Sequence, residues 1–175
     1  MTAFRSRALL QALSLIAAGG LLCAAAPATR LDNFKQRILD SHNAERTTYK
    51  LRPLVWSDAL AAEAAKWAAH LSALADLEHD ESLDVEGENL WRGTKGHYTP
   101  EDMVKLWISE KKMFQNNPIP DVSITGDFGD VGHFTQVVWH STGLVGCAVA
   151  DAKGGDEVMV CRYMEGGNVQ GQNTY

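Results

Sequence analysis

The chain has 175 residues, of which 45% are hydrophobic, 22% charged and 8% aromatic, a globular balance for about one domain that excludes a disordered polymer. Sixteen basic residues face 22 acidic ones; without the first 28 residues, whose only charges are Arg5 and Arg7, 14 face 22 and the net charge falls from −6 to −8. Such a surface repels phosphate backbones and anionic headgroups, so no nucleic-acid partner is expected.

The chain opens on a leader. Arg5 and Arg7 form a positive n-region, and Ala8 to Ala26 is apolar apart from Gln11 and Ser14. Ala26-Pro27-Ala28 then offers small residues for cleavage after Ala28. Residues 1–28 therefore read as a signal peptide and 29–175 as the mature domain, secreted to an extracellular or periplasmic space. A retained anchor is the rival, because the apolar stretch approaches the roughly 20 residues that a span needs. A lipoprotein is another, through Cys23, although Leu22 is larger than the residue a lipobox places there. Gly19-Gly20 and the Ala-rich end favour cleavage, which leaves no membrane span after processing.

In the mature region Asp32 is placed to cap a first helix running to about Tyr49, with Leu31, Phe34, Ile38 and His42 on one stripe. Pro53 closes that region. Ser57 or Asp58 starts a second helix carrying Leu60, Ala64, Trp67, Leu71 and Leu74 at helical spacing. Thr99-Pro100-Glu101-Asp102 combines a Thr cap, a Pro in the first turn and an acid three residues on. The third helix carries Met103, Trp107 and Phe114 along one face, and Glu110 falls on that same face. A carboxylate on a buried stripe costs several kcal/mol unless it is paired. Either the helix edge leaves Glu110 half solvated near Lys111 and Lys112, or Glu110 lines a polar cleft; periodicity does not choose.

Residues 115–132 are rich in Pro, Gly and Asp and read as a long loop. Phe134 to His140 is predicted as a strand. Gly143 to Val149 and Glu157 to Tyr163 follow as a hairpin turned by Lys153-Gly154-Gly155-Asp156. The polar tail from Gly166 to Tyr175 is expected to be irregular and surface-lying. Three helices ahead of antiparallel strands indicate an α+β domain with helices packed on a sheet.

Cys23 leaves with the leader, so the exported chain keeps Cys147 and Cys161. The hairpin brings them near each other, and an oxidising compartment favours one disulfide. Closing a loop of about 15 residues contributes about 3 kcal/mol in the chain-entropy account. Two buried free thiols are the alternative; a metal pair is disfavoured because no CxxC spacing exists.

Four stretches carry a family resemblance. They are Ser41-His42-Asn43-Ala44-Glu45-Arg46, Gly87-Glu88-Asn89-Leu90, Gly132-His133-Phe134-Thr135-Gln136-Val137-Val138-Trp139, and Tyr163-Met164-Glu165-Gly166-Gly167-Asn168. In that order the chain resembles the CAP superfamily (SCP/TAPS), which includes cysteine-rich secretory proteins, insect antigen 5 and plant pathogenesis-related protein 1. The likeness runs from about Leu31 to Tyr175, and Leu106-Trp107-Ile108-Ser109-Glu110-Lys111 points to the plant-type branch.

The resemblance implies a three-layer α-β-α sandwich with a central antiparallel sheet and a cleft lined by His79, Glu88, Glu110 and His133. His42, Asn43 and Arg46 are then structural, and His70, His97 and His140 have no motif role. Two His and two Glu permit three chemistries. His79 and His133 could hold a divalent metal such as zinc, with the carboxylates holding the metal or its waters. A His beside a carboxylate could activate water. The four could also be a polar cluster that shapes the cleft. A Ser near the GEN block features in hydrolase proposals for the family, but Trp91-Arg92-Gly93 stands here instead. The family's usual Pro is Glu165 in this chain, and one disulfide replaces about three. The implied function is an exported binding module for a small lipid or sterol-type ligand or a divalent metal. A metal-assisted extracellular hydrolase and a module docking on a surface partner are the alternatives.

Overall fold

The computed structural model describes residues 29–175; residues 1–28, the expected leader with Arg5, Arg7 and Cys23, lie outside them. The first helix, α1, spans Phe34–Thr48. Its cap differs from expectation: Asn33 takes the N-cap position in a left-handed conformation, while Asp32 accepts the Thr29 N–H at 2.8 Å in the turn before. β1 is Val55–Trp56, and α2 is Asp58–Leu71 with Ser57 Oγ accepting the Leu60 N–H. β2 covers Gly87–Thr94. α3 covers Pro100–Ser109 and opens on a reciprocal capping box between Thr99 and Asp102. It stops one turn short of Phe114, and a 3₁₀ turn over Glu110–Lys112 replaces its expected end.

Gly132–Val137 is a helix, α4, where a strand over Phe134 to His140 was expected. The physical reason lies outside the segment. Residues 134–139 are all buried, so burial follows neither strand alternation nor a single helical face. The Glu110 carboxylate accepts N–H groups from the helix's first turn. The hairpin is longer than expected, with β3 at Leu144–Ala152 and β4 at Asp156–Met164. Gly154 and Gly155 supply the positive φ angles of its turn, 80° and 85°.

The sheet order is β1-β3-β4-β2. β3 pairs antiparallel with β4 and β4 with β2, whereas the short β1 runs parallel to β3. The sheet is the middle of three layers. On one face Ala64, Ala68 and Leu71 of α2 pack on Leu90, Val158 and Val160. On the other, Ile38, Met103, Trp107, Phe134 and Val137 pack on Met159, Cys161 and Tyr163. The alternation of β4 between the two clusters is the period-2 pattern of a strand buried on both sides. Gly146 is required where α2 crosses β3, since a Cβ there would lie 2.2 Å from the Ala61 backbone nitrogen.

Cys147 and Cys161 face each other in the β3–β4 register and form the disulfide, with Cα atoms 4.1 Å apart. The tail lies over the surface only in part. His140 and Ile119 donate their N–H groups to Thr174 O and Gln172 O, Thr174 is fully buried, and Tyr175 rests on Tyr49 with ring centroids 4.5 Å apart. Backbone hydrogen bonds, the buried Thr174 and a ring contact thus anchor a segment whose polar composition suggested no anchor.

Candidate metal-binding cleft

β2 is an edge strand, and successive side chains point to opposite faces of it. Leu90 joins the α2 layer while Trp91 joins the opposite one, so Glu88 lies toward α2 and Asn89 toward α4. Asn89 Nδ2 donates to His133 O at 3.1 Å and to the Tyr163 hydroxyl at 3.3 Å, which ties the start of α4 to the strand. On the Glu88 side, the loop between α2 and β2 returns His79. A cleft of about 140 Å³ results, with His79, Glu88, Asn89, Phe128, His133 and Asn168 among its lining.

The four predicted site residues form two histidine–carboxylate pairs. His79 Nδ1 lies 2.6 Å from Glu88 Oε1, which also accepts the Asp80 N–H at 3.2 Å. His133 Nδ1 lies 2.6 Å from Glu110 Oε1, and Glu110 Oε2 accepts the His133 and Phe134 N–H groups at 3.1 and 3.0 Å. Glu110 is therefore a cap on α4 as well as a partner of His133. These bonds offset the cost of a carboxylate on an apolar stripe. It stands behind His133 rather than in the cleft wall. Trp107 stacks on the His133 ring at 6.0 Å with planes 12° apart and fixes its tilt. His79 is the exposed member, with 64% of its side chain accessible, against 33% for His133.

In each pair the carboxylate engages Nδ1, which leaves Nε2 as the outward nitrogen of each ring. Carboxylate–histidine pairing of this kind fixes the tautomer and raises the basicity of the free nitrogen toward a metal. The donor set fits a soft-to-borderline divalent ion held by two imidazoles. Among the described residues no group of three or more His, Cys, Asp and Glu side chains is gathered around one point for a metal. The residues that could hold an ion are His79 and His133, each with a carboxylate on its Nδ1.

Two residues of the site escaped sequence reading. Asp80, beside His79, receives a hydrogen bond from the Ser82 hydroxyl and then one from Arg162, and these pull its carboxyl down to about 2. Arg162 sits opposite Glu88 in the β2–β4 register with its side chain 2% exposed. A signal for it existed: Arg162 shares a strand face with Val158 and Val160, the same anomaly that singled out Glu110. The HNxxR residues are structural, as the resemblance implied. Asn43 bonds both the N–H and C=O of Leu54, and the buried Arg46 guanidinium donates to the carbonyls of Arg52, Val137, Trp139 and Thr142.

Comparison with known proteins agrees with this architecture. The family model described as CAP, cysteine-rich secretory protein family, matches residues 39–163. Pathogenesis-related protein 1A of Nicotiana tabacum is 37% identical over 147 residues, covering 83% of each chain. Pathogenesis-related protein PR-1 of Medicago truncatula is 36% identical over 146 residues, covering 82% of this chain and 80% of that one. Among solved structures, NaASP2 with Zn2+ superposes at a TM-score of 0.67 with 23% identity, over 81% of this chain and 84% of that one. MpPR-1i superposes at 0.52 with 28% identity, over 76% and 87%. With the signature blocks, the three layers and these relatives together, the chain belongs to the CAP (cysteine-rich secretory protein) family, in its plant-type pathogenesis-related protein 1 branch.

Proposed function

We propose that the protein is an exported CAP-domain binding module whose central cleft takes a divalent cation, zinc first, through Nε2 of His79 and His133. The observation that carries this reading is the matched pairing of both rings through Nδ1 with carboxylates, at 2.6 Å each. An ion held by two imidazoles keeps open positions for water or for an acidic or hydroxyl group of a second ligand, and it polarises whatever occupies them. The chain's own contribution is orientation: Glu88 and Glu110 set the tautomers, Trp107 sets one ring plane, and Asn89 sets the separation of the two sides. NaASP2, which shares the fold, has been solved with Zn2+, and that makes zinc the ion to try first. Export is supported by the disulfide between Cys147 and Cys161 and by the leader grammar of residues 1–28.

The fatty-acid or sterol reading rests on the family alone. A cleft of about 500 Å³ is walled by the apolar Trp67, Leu83 and Val85 together with Glu63, Lys66, Asp80, Asp84, Glu86 and Arg162, a lining that mixes apolar and charged groups.

Thermal unfolding with and without zinc tests the proposal. A ligand at a hundredfold excess over its dissociation constant stabilises the folded state by about 2.7 kcal/mol, or about 5–10 °C for a domain of this size. The shift should shrink at pH 5, because protons compete for the imidazole nitrogens. His79→Ala with His133→Ala should abolish it and His70→Ala should leave it. An equal shift in wild type and the double variant puts the metal elsewhere and ends this reading. Ester or peptide hydrolysis that appears only with zinc would favour the metal-assisted hydrolase instead.

A further inference from the structure

The loop between α2 and β2 walls a cleft that the cation reading does not use, the one of about 500 Å³ with Arg162 in its lining. The Arg162 side chain is 2% exposed, and among the described residues its guanidinium makes one aligned hydrogen bond, from Nη2 to Asp80 Oδ2 at 2.9 Å. Nε is buried without a partner, and so is Glu88 Oε2, 3.2 Å from Nη2. Nη1 makes no hydrogen bond either, with Glu86 Oε2 3.9 Å away, but unlike Nε it is not sealed and opens on the cleft that Arg162 lines. A buried guanidinium with most of its donors unspent departs from the rule that buried polar groups are paired, and such a departure calls for a partner from outside the fold.

The balance of charge selects the class of that partner. Asp80 and Glu86 face Arg162, and Glu63 lies 2.7 Å from Lys66, so the cations of the cleft and most of its acids are already matched. An anion would meet Asp84 and Glu86, and a cation would meet Arg162. A lipid chain would strip water from the carboxylates without replacing its bonds. An uncharged group that both donates and accepts fits, and a hydroxyl does so, donating to a carboxylate and accepting from a guanidinium. Hydroxyls set around an apolar C–H surface are the chemistry of a sugar ring. Trp67, Leu83 and the 60% exposed Val85 supply apolar wall for that surface. Trp67 is fixed in place, its Nε1 donating to Glu78 O at 3.1 Å and its ring stacked on His70 at 4.5 Å. An adjoining cleft of about 430 Å³ shares Trp67, Asp80 and Ser82 and continues to Glu81, which makes a groove rather than a single socket. We propose that this groove binds a neutral oligosaccharide, with Arg162 Nη1 as donor, Asp84 and Glu86 as acceptors, and Trp67 and Val85 against the apolar face of the sugar. The proposal goes beyond the cation reading and stands without it.

Nitrogen-edited NMR on the purified disulfide-bonded protein tests the proposal through the Trp67 indole N–H, assigned with Trp67→Phe, with a chelator present so that no metal takes part. The probes are laminaritriose, cellotriose and chitotriose, and the charged controls are trigalacturonate and trilysine. At about 10 mM, well above a millimolar dissociation constant, at least one neutral trisaccharide should shift that signal saturably, and both charged controls should bind at least about tenfold more weakly. Retention on the matching insoluble polysaccharide marks a polymer as the source of the sugar, and binding of the trisaccharide alone marks a free one; either supports the proposal. Arg162→Gln removes the donor, and Asp84→Ala with Val85→Ala removes an acceptor and apolar wall at exposed positions; each should weaken the sugar by about tenfold. The exposed double variant decides should Arg162→Gln fail to fold by circular dichroism. If no neutral trisaccharide moves the Trp67 signal, if a charged control binds as tightly, or if the double variant binds like wild type, the proposal is overturned and water fills the place at Nη1. None of these results touches the cation reading, which zinc and the two histidines decide.

Discussion

The buried imidazole of His42 gives the fold a defined acid sensitivity. His42 lies fully buried in α1, its Nδ1–H donating to Ile38 O at 2.8 Å and its Nε2 accepting the Tyr163 hydroxyl at 2.9 Å. The bond to Tyr163 requires the neutral ring, whereas the donation to Ile38 O survives protonation. Burial pushes its pKa from 6.5 down to about 4, the charge of Arg46 adds to that, and the bond to Ile38 O works against it. Between those two values the unfolded chain binds a proton that the folded chain refuses, so stability rises with pH across the window. The contribution is complete above about 6.5 and is lost as the pH falls toward 4. The gap is worth about 3.4 kcal/mol in full and about 2.5 kcal/mol by pH 4.5. That is a large share of a typical domain stability of about 5–15 kcal/mol.

Urea unfolding followed by tryptophan fluorescence at pH 7, 6, 5 and 4.5 reads the effect, with His42→Gln as the reference. The variant loses stability at every pH, since it gives up packing and one or both bonds, but its loss should not steepen with acid through this site. Wild type should fall by about 2–3 kcal/mol more than the variant between pH 7 and pH 4.5. Asp80 does not confuse the measurement, because its carboxyl, held near 2, weakens the fold only below about pH 4. Parallel curves for the two proteins would refute the reasoning, and would mean that the folded state admits the proton at His42.

Three further outcomes follow from buried polar groups and the cross-link. Glu157 is 1% exposed and its ion pair is with Arg30 at 2.5 Å, so Arg30→Ala should cost about 3 kcal/mol in denaturant unfolding; a loss below about 1 kcal/mol would show that water reaches the carboxylate. Glu110→Ala orphans two N–H groups of α4 and frees the His133 ring, and should cost about 2–3 kcal/mol while weakening zinc binding; intact zinc affinity would separate the cap from the site. Cys147→Ser with Cys161→Ser opens a loop spanning 14 positions and should cost about 3 kcal/mol, with the far-ultraviolet dichroism of the folded state retained; its collapse would give the bond a role in forming the sheet.

Local rules made much of the fold legible. The capping box at Thr99 and Asp102, the Ser57 cap and the Gly154-Gly155 turn are contacts among near neighbours, and each appears where its residues stand. The hairpin was legible because Val158 and Val160 alternate with Met159 and Cys161, each set meeting an apolar layer. α4 was not. Phe134, Thr135 and Val137 run into Val138 and Trp139 as strand formers, and six residues are too few to establish a helical period. What decides its conformation is a carboxylate 23 positions away, which no window on the segment contains. β2 was hidden for a related reason: Glu88, Asn89 and Arg92 are polar, and each is admitted to the sheet only because Arg162, Tyr163 and Asp156 on β4 receive it.

The misplaced charges mark the cleft. Glu110, Glu88 and Arg162 each stand where an apolar residue would pack with less desolvation cost, and each is answered by a partner distant in sequence. Glu88 and Arg162 are set opposite each other by strand register, while Glu110 and His133 are joined across the long loop. The bonds that offset burial are the same bonds that fix both imidazoles through Nδ1. Stability and site geometry therefore cannot be separated at these positions: the cleft exists only once α4 is capped and β2 is paired. An ion that binds it reports on the folded state, and the pairing that orients each ligand is also what keeps a buried carboxylate tolerable in its absence.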